Sequence, residues 1–119
     1  MKIMLIEDDP TMRSLLQTLL EMEGFKIIPF IGNINQNEIL KALTANQPET
    51  LIMDVHLQNI NGIHLLKEIR SQEKEHHIKI IMTSGIDLKI ECIKAGADVF
   101  LQKPYVPDDL LRLLRPEQK

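Results

Sequence analysis

The 119-residue chain has no tryptophan, one tyrosine, three phenylalanines and a single cysteine, Cys92. With so few aromatics the core has to be aliphatic, and 17 Ile and 17 Leu are there to build it. A lone cysteine excludes an internal disulfide and a multi-cysteine metal site. Its expected role is a small buried residue. No apolar run approaches the ~20 residues of a membrane span. Met1-Lys2-Ile3 leads into a hydrophobic segment with no small-residue cleavage site behind it. These absences read as a soluble, cytoplasmic protein without a membrane partner. Positive charge is short too: 14 Lys and Arg face 17 Asp and Glu, a formal charge of −3. That argues against nucleic acid as a direct partner. The phosphate-cradling pattern G-x-x-x-x-G-K-[S/T] is also missing, so nucleotide binding through such a loop is not expected.

What the chain does have is an alternation of element types over a length that suits one domain. Short β-rich runs lie at Lys2–Ile6, Lys26–Phe30, Thr50–Met53, Lys79–Met82 and Asp98–Leu101. Helical spacing fills the gaps: Met12, Leu15, Leu16 and Leu19; then Ile39, Leu40 and Leu43; Leu65, Leu66 and Ile69; Ile86, Ile90 and Ile93; Leu110, Leu113 and Leu114. Asp9 before Pro10 and Asn35 are fitting helix starts, and Gly24 and Gly96 fitting stops. Five strands alternating with five helices predict an α/β fold, a five-stranded parallel sheet flanked by helices on both faces. Pro29 assigns the second strand to an edge. That favours the order 2-1-3-4-5, with the ligand crevice at the carboxyl ends of strands 1 and 3.

Chemistry-bearing residues gather at those ends. Glu7-Asp8-Asp9 follows strand 1, Asp54 ends strand 3, Thr83-Ser84-Gly85 ends strand 4 and Lys103-Pro104 follows strand 5. Neighbouring strands are about 4.8 Å apart, so Asp54 and the first acids should nearly touch. Carboxylates that close resist joint ionisation. A hard divalent cation relieves the conflict, and oxygen ligands favour Mg2+. A carboxylate nucleophile, a metal and a lysine together suit phosphoryl transfer.

Four segments in this order and spacing carry a family resemblance: Ile3 to Pro10 around Glu7-Asp8-Asp9, Leu51-Ile52-Met53-Asp54, Ile81 to Gly85, and Lys94 to Tyr105 ending in Lys103-Pro104-Tyr105. Over nearly the whole chain it resembles the receiver (response-regulator) domain of two-component signalling, a flavodoxin-like fold. The resemblance implies a single receiver domain over 1–119. Asp54 would be the phospho-acceptor, and Mg2+ would be held by Asp8, Asp54 and the His56 backbone carbonyl, with Glu7 acting through water. Lys103 would contact the phosphoryl oxygens, and the Lys103–Pro104 peptide bond would be the one usually found cis. Thr83 would be the switch hydroxyl, with Ser84 the alternative, and Phe100 the aromatic that responds.

The implied function is a switch, not a turnover enzyme. It would take a phosphoryl group from a phosphohistidine of a sensor histidine kinase or a histidine phosphotransfer protein. It would then alter a surface read by a downstream effector or a fused output domain, with phosphorylation-dependent homodimerisation a further option. The alternative is a pseudo-receiver that binds proteins without carrying phosphate. A dehalogenase-type phosphatase would want a second acid two residues after its nucleophile, where this chain has His56. Three features depart from the family pattern: Gln58 stands where proline is usual, the Thr83–Gly96 stretch is two or three residues short, and Glu7 replaces an aspartate. The four histidines lack metal-pair spacing on a helix face and read as surface or loop residues.

Overall fold

Alternating apolar runs and helices close into one parallel sheet with helices on both sides. The computed structural model describes residues 1–30, 34–58, 60–73 and 77–115. In chain order the elements are β1 (Lys2–Ile6), α1 (Pro10–Met22), β2 (Lys26–Pro29), α2 (Gln36–Asn46), β3 (Thr50–Asp54), β4 (His56–Leu57), β5 (Ile60–Asn61), α3 (Gly62–Gln72), β6 (Lys79–Ser84), α4 (Lys89–Ala95), β7 (Val99–Gln102) and α5 (Pro107–Leu114). The main sheet has the order β2-β1-β3-β6-β7 and every pair in it is parallel. Counted over the five predicted strands this is 2-1-3-4-5, as expected. The sequence reading did not anticipate β4 and β5, a two-residue antiparallel ladder just beyond β3.

The strands fall where residue chemistry puts them. Residues 3–6 of β1 and 50–53 of β3 are buried on both faces, which needs the unbroken apolar runs found there. β2 with Pro29 lies at an edge, where a missing N–H costs least. Alternation along the strands sorts the interior into two layers. Ile3, Leu5, Ile27, Ile52 and Ile81 pack with Leu16 and Leu20 of α1 and Leu110 and Leu114 of α5. Met4, Ile6, Leu51, Met53, Ile80 and Met82 pack under α2, α3 and α4. Cys92 of α4 is fully buried in this second layer.

Helix ends follow local chemistry. The Asp9 carboxylate accepts the N–H groups of Thr11 and Met12 at 2.9 and 3.2 Å, with Pro10 next in line. Asn35 caps α2 through the Glu38 N–H. Gly96 ends α4 at φ +117°, a left-handed conformation that suits glycine.

Two predicted apolar stripes are corrected. Ile86 precedes α4, and Ile86, Ile90 and Ile93 are exposed; the helix buries Cys92 and Ala95 instead. The short Thr83–Gly96 stretch leaves room for only seven helical residues. In α1, Leu16 and Leu20 face the core while Met12 and Leu15 are exposed. At the C-terminal end of α3, Glu73 is drawn into a clasp. There Arg70 donates to Gly96 O and Ile78 O, both at 2.7 Å, to Asp98 Oδ2 at 2.7 Å and to Glu73. One guanidinium so ties α3 to the start of β6 and the α4–β7 turn. Asp98 also accepts the Ile80 N–H at 2.8 Å and lies 3.2 Å from His77.

Burial alone would raise the Asp98 carboxyl, but the Ile80 N–H, His77 and Arg70 outweigh it and hold the group below the usual carboxylate range. A lowered carboxyl contributes stability that is present at neutral pH and fades as pH falls below about 4. Arg70→Ala should cost about 2–4 kcal/mol in urea unfolding at pH 7, since it strands two carbonyls and two carboxylates. Asp98→Asn keeps an acceptor for Ile80 but should flatten the loss of stability as pH falls below about 4.

Candidate functional site

Parallel register builds the site. Leu5 pairs with Ile52 and Asp54 with Thr83, which in turn pairs with Leu101. Strand alternation therefore carries Glu7 (two beyond Leu5), Asp54, Thr83 and Lys103 (two beyond Leu101) onto one face. It is the face that packs against α1 and α5. All four stand at the carboxyl end of the sheet, and Asp8 joins from the β1–α1 turn. Glu7, Asp8 and Asp54 each bring a carboxylate oxygen within 4.8 Å of the others.

The Lys103 ammonium closes the cluster. Nζ donates to Asp54 Oδ2 at 2.7 Å and to Glu7 Oε1 at 3.1 Å. The Lys103–Pro104 peptide bond is cis. Burial works against the Lys103 charge, but Asp54 and Glu7 outweigh it and raise the group above the usual lysine value. Lys103 is thus a fixed cation. Glu7 is the strained partner. Burial, with Asp54 adding to it, raises the carboxyl despite Lys103 and the Asp9 N–H. Three carboxylates against one ammonium leave negative charge uncompensated in a half-buried space. The donor set is all oxygen and hard, the chemistry that suits a small divalent cation completed by water.

The β6 hydroxyls part company. Thr83 is 3% exposed and shares the acid face. Ser84 falls on the opposite face, fully buried, and its Oγ accepts the Ile86 N–H at 3.1 Å. Phe100 pairs with Met82 and packs, partly buried, in the layer beneath α4. It therefore lies across the sheet from Thr83. His56 is exposed, two residues beyond Asp54. Its backbone is held in the β4–β5 ladder opposite Asn61. Asp9 caps α1, and its N–H reaches Glu7 Oε2 at 3.3 Å.

Two residues at the rim were not singled out from sequence. Arg13 donates from Nη1 to the Glu7 carbonyl at 3.1 Å and so braces the acidic turn. Only its position one turn into α1 could have signalled it. Tyr105 is half-buried beside the cluster. Burial first, then Glu7 and Asp54, raise its phenol above the ordinary range, with Lys103 opposing.

Comparison with known proteins agrees with this arrangement. The family model described as "Response regulator receiver domain" matches residues 3–115. The transcriptional regulatory protein CpxR of Klebsiella pneumoniae is 34% identical over 117 residues, covering 96% of this chain and 47% of that protein. The hybrid signal transduction histidine kinase C of Dictyostelium discoideum is 30% identical over 123 residues, covering 96% and 10%. The chain thus spans about half of the first and a tenth of the second. A crystal structure of a putative response regulator from Chloroflexus aurantiacus superposes with a TM-score of 0.81 at 30% identity, covering 94% of this chain and 92% of the other.

The charge imbalance has a direct consequence. Asp8→Asn removes one of the crowded carboxylates and should stabilise the metal-free protein by up to about 1 kcal/mol, the Coulomb energy of two charges 4 Å apart in water. Thermal unfolding with and without MgCl2 checks this: the wild type should gain melting temperature with the salt, and the variant should lose most of that gain.

Proposed function

The chain belongs to the response regulator receiver domain family, and we propose that it is a phosphorylation-dependent signalling switch whose acceptor is Asp54. Residues 1–119 are read as a single receiver domain. The observation that carries the proposal is the convergence of Glu7, Asp8 and Asp54 on one ammonium, Lys103, at the carboxyl edge of the sheet.

The chemistry follows from the residues. An Asp54 carboxylate oxygen attacks the phosphorus of a phosphohistidine in line. A P–O bond forms, the P–N bond breaks, and the imidazole nitrogen leaves with the electron pair. Lys103 holds Oδ2 of Asp54 and so limits the carboxylate's rotation before attack. As charge passes to the phosphoryl oxygens, the same ammonium can turn to them. Mg2+, held by Asp8, Asp54 and the His56 carbonyl with Glu7 behind a water, would supply Lewis-acid neutralisation of the transferring group. Thr83, on the acid face, can donate its hydroxyl to the new phosphoryl group, which adds about −1.5 to −2 charges. Moving that hydroxyl disturbs the β6–α4 connection and, through it, Phe100. The output is a changed surface over α4, β7 and α5, where Ile86, Ile90 and Val106 are already exposed. A downstream effector, a fused output domain or a second copy would read it.

The donor has to bring a histidine to Asp54. The mouth of the site is bordered by exposed Met12 and Leu15 of α1 and by Pro104, Tyr105 and Pro107, which line an apolar groove of about 520 Å3. Such a rim fits the apolar flank of a helix that carries a phosphohistidine, from a sensor histidine kinase or a histidine phosphotransfer protein. No helix here is long and apolar enough to cross a membrane among the described residues, and a place in the cytoplasm is part of the proposal. The chemistry is one transfer per protein followed by loss of the group, not substrate turnover.

Incubation with acetyl phosphate and Mg2+ should add about 80 Da to the intact mass, and Asp54→Asn should abolish the adduct. An unmodified wild type would favour the pseudo-receiver reading, a protein-binding module that carries no phosphate. Leu15→Asp should leave acetyl phosphate labelling unchanged but slow transfer from a phosphorylated histidine phosphotransfer protein at least about tenfold, the cost of a charge in an apolar contact.

A further inference from the structure

Gly62 opens α3, and it is not there for conformational freedom, since among the described residues the positive-φ glycines are Gly24 and Gly96. It is there for room. A Cβ at this position would lie 2.7 Å from the Asp54 carbonyl oxygen, 2.7 Å from the Val55 carbonyl oxygen and 2.8 Å from Val55 Cα. All three are backbone atoms, so no flexible side chain could swing aside. The Gly62 N–H donates to Val55 O at 2.8 Å from the same close approach. The start of α3 therefore presses directly on the peptide units that carry Asp54 into His56.

The opposite side of that segment is held as well. The Val55 N–H donates to Thr83 O of β6 at 2.9 Å. Beyond it the β4–β5 ladder returns the chain, with His56 opposite Asn61 and Leu57 opposite Ile60. Asn61 fixes the start of α3 by accepting the Ile63 and His64 N–H groups at 3.0 and 3.3 Å. The backbone from Asp54 to His56 is thus gripped between β6 on one side and a bare glycine on the other. This grip stands where Gln58 replaces the rigid proline usual in the family pattern, so the loop's order comes from contact and pairing.

We propose that Gly62 is a positioning residue for the acceptor: by letting α3 close on the Asp54–Val55 backbone, it sets where the Asp54 carboxylate and the His56 carbonyl stand relative to Asp8. The inference rests on the receiver reading above. Any side chain at position 62 must push this backbone back by several tenths of an ångström to reach ordinary contact at 3.4 Å. Metal sites tolerate about 0.2 Å in ligand distance, and reacting groups tolerate about 0.5 Å. The shift is therefore large on the scale that matters to the site, while small on the scale of the fold.

The test compares Gly62→Ala with Gly24→Ala. Gly24 sits at φ +94° with nothing within 4 Å of an added Cβ, so alanine there strains the backbone without crowding anything. Mg2+ affinity by calorimetry and the rate of acetyl phosphate labelling by intact mass are read at a temperature where each protein is folded by circular dichroism. Gly62→Ala should weaken Mg2+ binding about tenfold or more and slow labelling at saturating Mg2+ by a similar factor, whereas Gly24→Ala loses stability but matches the wild type in both. Wild-type Mg2+ affinity in folded Gly62→Ala would overturn the proposal. Should that variant fail to fold, Asn61→Ala takes its place: it releases the start of α3 and should weaken Mg2+ binding, and unchanged affinity would overturn the proposal. A wild type that neither binds Mg2+ nor takes the label would sink the receiver reading itself, and the positioning role with it.

Discussion

Lys103 spans the crevice to touch Asp54 at 2.7 Å and Glu7 at 3.1 Å, and the carboxyl end of the sheet is organised around that one ammonium. Without it, three carboxylates within 4.8 Å of one another would repel strongly in a half-buried space. With it, the cluster still carries excess negative charge, and this is the useful part. On the proposed reading, a site so short of cations would accept a divalent ion and then a phosphoryl group. Burial raises the Glu7 carboxyl in spite of Lys103, while Asp54 and Glu7 raise the Lys103 ammonium in spite of burial.

The main effect of the fold is to bring these groups together. Parallel pairing with matched registers gives four strand ends the same orientation, and alternation along each strand then selects the residues on one face. The two interior layers use the same alternation. Residues that face α1 and α5 run on into the acid cluster, while those beneath α2, α3 and α4 run on into Ser84 and toward Phe100. On the proposed reading, a signal starting at Asp54 on one face would have to pass around the end of β6 to reach the other. The Arg70 clasp anchors the far end of this path, joining α3, β6 and the α4–β7 turn.

Much of this was legible in the residues. Unbroken apolar runs marked β1 and β3 as central strands, Pro29 marked an edge, and the order of acids, hydroxyls and lysine marked the crevice. The two β6 hydroxyls could not be separated from sequence alone, because the choice depends on strand register, which pairing fixes and spacing does not. Helical periodicity over-read the core at Met12, Leu15, Ile86, Ile90 and Ile93, all exposed. Periodicity shows that a helix has an apolar stripe; it does not show whether the sheet or a partner covers it. The Arg70 network and the bare contact at Gly62 join residues distant in sequence or turn on an absent atom, and neither leaves a local pattern to read.

The proposed switch requires that these acids and this amine form one phosphoryl-transfer site. A crystal structure of the protein grown with Mg2+ and beryllofluoride tests that most directly. The prediction is a fluoroberyllate bonded to an Asp54 carboxylate oxygen, Lys103 Nζ turned to one of its fluorines, and the metal in contact with Asp8, Asp54 and the His56 carbonyl. A metal bound elsewhere, or an Asp54 carboxylate left unmodified with Lys103 still on Oδ2, would contradict it.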